Sequence, residues 1–128
     1  MLKTRSVRSP ATADDGLRIL ATRFRGRALP ASKYDVWMPA LGPSEQLLQS
    51  ALAGTIDWKT FAKRYREELY MDGPIDDRSD TIKNHGQKST LRLLKHLSQR
   101  HNVTLMCHCE ETATECHRFL LEREIQRI

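Results

Sequence analysis

Residues 103–121 read VTLMCHCEETATECHRFLL, and this stretch decides the fold. It opens with an apolar run typical of a buried strand, Val103 to Met106, and ends in Phe119-Leu120-Leu121, whose helical spacing continues to Ile125. The pattern predicts a strand, a loop and a helix in that order. Open α/β sheets bind ligands where strands end and helices begin. The cysteines, histidines and arginine between the two elements are therefore predicted to form the functional site.

A second apolar run, Leu17 to Phe24, follows a turn signal at Asp14-Asp15-Gly16 and predicts another core strand. Arg23 and Arg25 lie near its carboxyl end. If the two strands are parallel neighbours, these cations reach the same edge of the sheet as the cysteines. The two segments would then share one site.

Three amphipathic helices are predicted between the strands. The first covers Glu45 to Ala53 with Ser44 as its N-cap, the second follows a cap at Asp57, and the third runs from Ser89 to about Arg100. The buried face of the second helix carries Trp58, Phe61, Tyr65 and Leu69. Together these elements predict one small three-layer α/β domain over residues 1–128, with a short, mainly parallel sheet flanked by helices.

The segment from Met71 to Lys88 breaks the pattern with Asp72-Gly73-Pro74 and Asn84-His85-Gly86. A long irregular segment in a small domain is often functional or mobile. We therefore predict a mobile lid here.

Composition narrows the class of protein. The sequence contains no run of about eighteen apolar residues and no recognisable secretory leader, which predicts a cytoplasmic protein without a membrane span. The three cysteines are an odd number, and Cys107 and Cys109 are too close in sequence for a disulfide framework. They are interpreted as reduced thiols or metal ligands. The net charge of +5 favours anionic partners. The sequence does not indicate an oligomeric state.

The leading hypothesis is an enzyme or ligand-binding protein for an anionic, phosphate-bearing small molecule. Side chains alternate along a strand, so Cys107 and Cys109 share one face and His108 takes the other. The hypothesis assigns Cys109 or Cys116 as the reactive thiol, Glu110 or His117 as the acid or base, and Arg23, Arg25 and Arg118 as anion clamps.

The reactivity predicted for Cys116 depends on where the following helix begins. With Thr114 as the N-cap, the thiol lies in the first turn, where the helix dipole and Arg118 stabilise a thiolate. With Thr112 and Glu115 as a capping box, the thiol lies a turn inside the helix. A purely structural alternative makes the cysteines small buried hydrophobes, with Arg118 paired to a carboxylate such as Glu110.

A second hypothesis is a zinc site. Cys107, Cys109, Cys116 and His117 could supply a tetrahedral set of ligands. The spacing argues against it, because paired zinc cysteines usually have two residues between them and here there is one. His108-Cys109-Glu110 also matches half of a zinc deaminase motif, but the partner P-C-x-x-C is missing.

A third hypothesis is a nucleic-acid-binding module that uses the arginine-rich first third of the chain. Binding without sequence preference needs exposed aromatic side chains between the cations, and only Phe24, Tyr34 and Trp37 are candidates there. The signal for this module is weak.

A succession of short motifs along nearly the whole chain resembles the Domain of Unknown Function 488 family. These motifs are Asp15-Gly16-x-Arg18-Ile19-Leu20-x-x-Arg23, Arg25-Gly26, Trp37, Pro43-Ser44, Trp58-x-x-Phe61-x-x-x-Tyr65-x-x-Glu68-Leu69, Val103-Thr104-Leu105 and Cys116-His117-Arg118. The resemblance implies a compact α/β domain of bacterial or archaeal type. It implies no activity.

Overall fold

Residues 1–128 are described in the computed structural model, except for the side chains of Asp76 and Asp80. The strands are β1 (Leu2–Ser6), β2 (Leu17–Leu20), β3 (Val36–Trp37), β4 (Pro74–Asp76), β5 (Ser79–Lys83) and β6 (Val103–Cys107). The α-helices are α1 (Glu45–Leu52), α2 (Trp58–Leu69), α3 (Lys88–Arg100) and α4 (His117–Arg127). The predicted α/β class is confirmed. Across the described residues, none of these helices has the length and apolar character needed to cross a membrane.

The main sheet has the order β1-β6-β2-β3, and every neighbouring pair of strands is parallel. The strand β6 lies between β1 and β2, and all five of its residues are buried, which explains its continuous apolar run. Ile19 of β2 lies opposite Leu105 of β6. Because the strands are parallel, their carboxyl ends lie at one edge, as predicted.

The two faces of the sheet are covered differently. Ile19 and Leu105 belong to the larger core cluster, which also contains buried residues of all four helices. The next residues along the strands, Leu20 and Met106, point to the opposite face and pack with Val7, Leu29 and Tyr34. Helices therefore cover one face, whereas the second is covered by the segment around a short 3-10 helix, Ala31–Lys33.

The helices follow the predicted periodicity and caps. The hydroxyl of Ser44 accepts a hydrogen bond from the Leu47 N–H, and the Asp57 carboxylate accepts one from the Thr60 N–H, as expected of N-caps. The predicted apolar face of α2 is confirmed, since Phe61, Tyr65 and Leu69 are buried and Trp58 is partly buried against the same core. The helix α3 begins at Lys88, one residue before the predicted start.

Replacement of Ser44 by alanine is expected to lower the free energy of unfolding by about 1 kcal/mol, because α1 loses its N-cap. The hydroxyl also donates to the Glu68 carboxylate, so α1 loses a tie to α2. Urea denaturation measures the change. Ser50→Ala in the same helix is the matched control, since that hydroxyl only donates to the Gln46 carbonyl, and its effect should stay within about 0.5 kcal/mol. Equal losses in both variants would contradict the capping role.

The prediction of an irregular segment from 71 to 88 is wrong. It contains an antiparallel hairpin of β4 and β5. The chain then returns to the end of α2, where the Gln87 N–H donates to the Leu69 carbonyl at 2.7 Å. Gly86 permits this approach, because a Cβ at that position would lie 2.5 Å from the Leu69 oxygen. The mobility of this segment and its role as a lid remain predictions.

Candidate functional site

The loops that follow β2 and β6 meet at the carboxyl edge of the sheet. The strand β2 ends earlier than predicted, because the Thr22 hydroxyl donates to the Phe24 carbonyl and stabilises a turn. The ring of His108, just past β6, lies with its Nε2 3.1 Å from the same carbonyl oxygen. Gly26 packs against this ring at a φ of 90°, where a Cβ would lie 3.1 Å from the histidine Cε1. The two segments predicted to share a site are therefore in contact.

The three cysteine sulfurs form one cluster at this edge. Their Sγ atoms all lie within 4.8 Å of one another, and those of Cys107 and Cys116 are 3.0 Å apart. Cys107 and Cys116 are buried, whereas Cys109 is partly exposed. Cys107 ends β6 and Cys116 precedes α4, so strand and helix together bring the sulfurs close.

Arg118 lies beneath the cluster and is completely buried. Its Nη1 donates to Cys107 Sγ at 3.1 Å, and its Nη2 donates to the carbonyl oxygens of Glu110 and Glu111. The guanidinium also lies over the Phe119 ring, 4.7 Å from the centroid. The side chain thus joins the loop, the helix and the sulfur cluster.

The cap of α4 differs from both predictions. Neither Thr112 nor Thr114 is the N-cap, because the helix begins at His117 and Cys116 itself occupies the capping position. The Cys116 side chain makes no capping hydrogen bond, but the thiol lies at the amino end of the helix. The amino end of α4 therefore adds a positive field to the thiol cluster.

The three thiols of the cluster differ in pKa. The neighbouring thiols of Cys107 and Cys116 lower the pKa of the Cys109 thiol well below its usual value, and the Arg118 cation lowers it further. The contact with Cys107, the neighbouring Cys109 and burial raise the pKa of Cys116, whereas Cys109 and burial raise the pKa of Cys107. The Arg118 contact at Cys107 stabilises negative charge in the cluster as a whole. These shifts favour Cys109 as the thiol that ionises first.

His117 is buried beside the cluster. Its Nε2 lies 2.5 Å from the Ala21 carbonyl oxygen, and its ring meets the Tyr65 ring edge-on with centroids 5.7 Å apart. A carbonyl only accepts, so Nε2 carries the proton and Nδ1 is the basic nitrogen. Burial lowers the pKa of His117, which keeps the ring neutral near pH 7.

Two adjoining cavities open at Cys109, with volumes of about 300 and 260 Å³. Both are lined by Cys109, His117, Leu48 and Leu52. Arg23 and Phe24 also line the larger cavity, and Cys116 also lines the smaller one. A small ligand in either cavity would lie against the Cys109 sulfur.

The comparisons with known proteins place the chain in a family. A family model described as the active DUF488-N3 subclade, DUF488-N3a, matches residues 2–127. The chain belongs to the DUF488 family. No curated protein and no solved structure matches this DUF488 chain. The site is therefore interpreted from its own geometry.

The three arginines predicted as anion clamps lie in different environments in this DUF488 structure. Arg23 lines the larger cavity, and its Nε and Nη2 donate to the Pro43 and Gly42 carbonyls. Arg25 is not among the described residues that line it, and its guanidinium lies over Tyr34 with Nε bonded to the phenol oxygen at 2.5 Å. Arg118 is buried behind the cysteines. Arg23 is thus the clamp best placed to reach a ligand.

The predicted role of Glu110 is not supported by its position. Its carboxylate is exposed and accepts from Arg8 Nη1 at 2.6 Å. Arg118 does approach a carboxylate, but it is that of Glu111, at 3.8 Å, whereas Glu110 offers Arg118 its backbone carbonyl. His117 remains the candidate base of the DUF488 site.

In the basic first third of the chain, ion pairs among the described side chains involve four of the eight lysines and arginines. Carboxylates lie within 4 Å of the cationic groups of Lys3, Arg5, Arg8 and Arg18. Such pairs weaken the argument for a surface that binds nucleic acid, because less unpaired positive charge faces a phosphate backbone.

The three thiols are close enough to hold a metal ion, as the zinc hypothesis requires. His117 does not belong to this group of ligand atoms among the described residues. Two sulfurs bound tetrahedrally at about 2.3 Å lie roughly 3.8 Å apart. The 3.0 Å separation of the Cys107 and Cys116 sulfurs is shorter, so zinc would have to open the cluster.

Several residues of the site were not predicted. Leu48 and Leu52 of α1 form an apolar wall opposite Cys109, and Glu111 takes the place expected for Glu110. Leu52 is 80% exposed, and Phe24 is 50% exposed. The sequence offers one signal for this wall, which is a leucine on the outer side of an amphipathic helix.

Proposed function

We propose that this DUF488 domain is a small thiol-dependent enzyme that acts on an anionic, phosphate-bearing small molecule. The observation that carries the proposal is the partly exposed Cys109 thiol, which has a lowered pKa and lies at the mouth of two cavities. A thiolate is the nucleophilic form of cysteine, and an accessible one next to cationic groups is the usual signature of a reactive thiol.

The reaction class is nucleophilic group transfer. The Cys109 sulfur attacks an electrophilic atom of the substrate, a sulfur–substrate bond forms, and the leaving group departs. Neutral His117 then accepts a proton at Nδ1 from the water or second substrate that releases the product. Tyr65 and the Ala21 carbonyl position the ring for this role.

The anionic part of the substrate is assigned to Arg23 and to the amino end of α4. Within the described part of the chain, no acceptor takes a hydrogen bond from Nη1 of Arg23, so this group is available to an anion in the larger cavity. The backbone N–H groups at the start of α4 lie beside Cys116, where a helix favours negative charge. The apolar wall of Leu48 and Leu52 contacts the rest of the substrate.

Inorganic phosphate should slow the alkylation of Cys109 by iodoacetamide, because the anion occupies the cavity that the reagent must enter. Arg23→Ala should weaken this protection about tenfold, the effect of losing one charge-assisted contact of roughly 1.5 kcal/mol. The measurement is the labelling rate of Cys109 by mass spectrometry at increasing phosphate concentration.

Arg25→Ala is the matched control, since that guanidinium is bound to Tyr34 and should leave the protection unchanged. Chloride at equal ionic strength separates specific binding from screening. If phosphate and chloride act alike, or if both arginine variants lose protection equally, the assignment of the anion to Arg23 is wrong.

A further inference from the structure

We propose that the three-thiol cluster is also a redox site, in which Cys109 is oxidised by a small hydroperoxide and Cys116 resolves the product into an intramolecular disulfide. The inference shares the Cys109 sulfur with the proposed function but needs neither the phosphate-bearing substrate nor Arg23. It assigns a second class of co-substrate, a hydroperoxide, to the same cavities.

The distances between the sulfurs support this chemistry. The Sγ atoms of Cys107, Cys109 and Cys116 all lie within 4.8 Å of one another. A disulfide bond measures about 2.05 Å, so small movements of the side chains bring two sulfurs into bonding distance. The closest pair, Cys107 and Cys116, is already at 3.0 Å.

Exposure sets the order of reaction. Cys107 lines the larger cavity and Cys116 the smaller one, but they are only 0% and 3% exposed, whereas Cys109 is partly exposed and lines both cavities. An oxidant that enters from solvent therefore meets Cys109 first. Cavities of about 260 and 300 Å³ admit hydrogen peroxide or a small organic hydroperoxide easily. The smaller cavity is also lined by Cys116, which places the resolving thiol beside the oxidised sulfur.

The first step transfers oxygen to sulfur. The Cys109 thiolate attacks one oxygen of the hydroperoxide, an S–O bond forms, and the O–O bond breaks. The second oxygen leaves as an alkoxide, or as hydroxide from hydrogen peroxide, and takes a proton from solvent. Cys109 becomes a sulfenic acid, oxidised by two electrons, while the peroxide is reduced by two.

The second step forms the disulfide. The Cys116 sulfur loses its proton and attacks the Cys109 sulfur, an S–S bond forms, and the S–O bond breaks. The departing hydroxide is released as water with the proton from Cys116. The amino end of α4, where Cys116 is the N-cap residue, stabilises the attacking thiolate once Cys109 no longer carries the charge. In total, two thiols and one hydroperoxide give a disulfide, an alcohol and water.

The test treats the fully reduced chain with an equimolar amount of hydrogen peroxide at neutral pH and then alkylates the remaining thiols. The expected product has one alkylated cysteine instead of three. Peptide mapping without reduction should show a disulfide from Cys109 to Cys116, or from Cys107 to Cys116 after exchange with the third thiol. Cys109→Ser should slow the oxidation at least tenfold, because the remaining thiols are buried and their pKa values are raised.

The matched variants separate the roles of the two buried thiols. Cys107→Ser should still form the disulfide from Cys109 to Cys116, whereas Cys116→Ser should accumulate a sulfenic acid on Cys109 that dimedone traps. The wild-type protein decides the question even if a variant fails to fold. Three alkylated thiols after peroxide treatment, overoxidised Cys109 without a disulfide, or a disulfide between two chains would each overturn the proposal. Protection of Cys109 by phosphate is measured without peroxide, so either proposal can fail while the other stands.

Discussion

Replacement of Arg118 by alanine is expected to lower the free energy of unfolding by about 3–5 kcal/mol, a large part of the stability of a small domain. The side chain is completely buried, donates to one sulfur and two carbonyl oxygens, and packs over the Phe119 ring. Its removal leaves a cavity, unpaired carbonyl groups and a thiol cluster without its cation. Urea denaturation followed by tryptophan fluorescence measures the loss.

Two further variants serve as controls for this measurement. Arg92→Ala replaces an exposed arginine of α3 and should change the free energy of unfolding by less than about 0.5 kcal/mol. Arg118→Lys keeps the charge but cannot donate to three acceptors, so its loss should fall between those of the other two variants. A loss below about 1 kcal/mol for Arg118→Ala would show that Arg118 does not hold the loop and the cysteines together.

Cys109 is expected to be the fast site of alkylation at neutral pH. An ordinary cysteine with a pKa of about 8.5 is only a few per cent thiolate at pH 7, so a thiol with a strongly lowered pKa should react at least tenfold faster. The sequence leaves Cys109 and Cys116 as alternatives for this role, but the Cys116 thiol is buried and the cluster raises its pKa. Cys109→Ser should remove the fast phase entirely.

The dependence of the labelling rate on pH tests the sign of this shift. A lowered pKa means that Cys109 is already ionised below neutral pH, so its rate should stay flat between about pH 6 and pH 8. An unperturbed thiol gains roughly tenfold per pH unit over the same range. The same chain in denaturant is the control, since all three thiols should then show the ordinary slope. A rise of about tenfold in rate per pH unit at Cys109 in the folded chain would contradict a lowered pKa for this thiol.

Slow labelling of all three thiols in the folded chain has a different meaning. If a chelator then accelerates the reaction and elemental analysis finds about one zinc per chain, the cysteines hold a metal. If the chelator has no effect and no metal is found, the cysteines are packing residues of the core.

The elements that local patterns determine were predicted well. The apolar run from Val103 to Met106, the capping residues Ser44 and Asp57, and the buried face of α2 all follow from side-chain periodicity within a few residues. The contact between the loops after β2 and β6 was predicted because the carboxyl ends of parallel strands lie at the same edge of a sheet. The strand β1 was missed, because Lys3 and Arg5 hide its pattern and its pairing with β6 joins residues about a hundred positions apart.

The sequence by itself therefore determined the α/β fold class, the edge of the sheet at which the cysteines lie and the family of the chain. Tertiary structure alone decided which cysteine is partly exposed, which carboxylate approaches Arg118 and which arginine lines the cavity. These features depend on burial and on distances of a few ångströms between Cys109, Arg118 and α1. These parts of the chain are not neighbours in sequence. The pKa of a thiol responds to those distances, whereas helical and strand periodicity reports only which face of an element is buried.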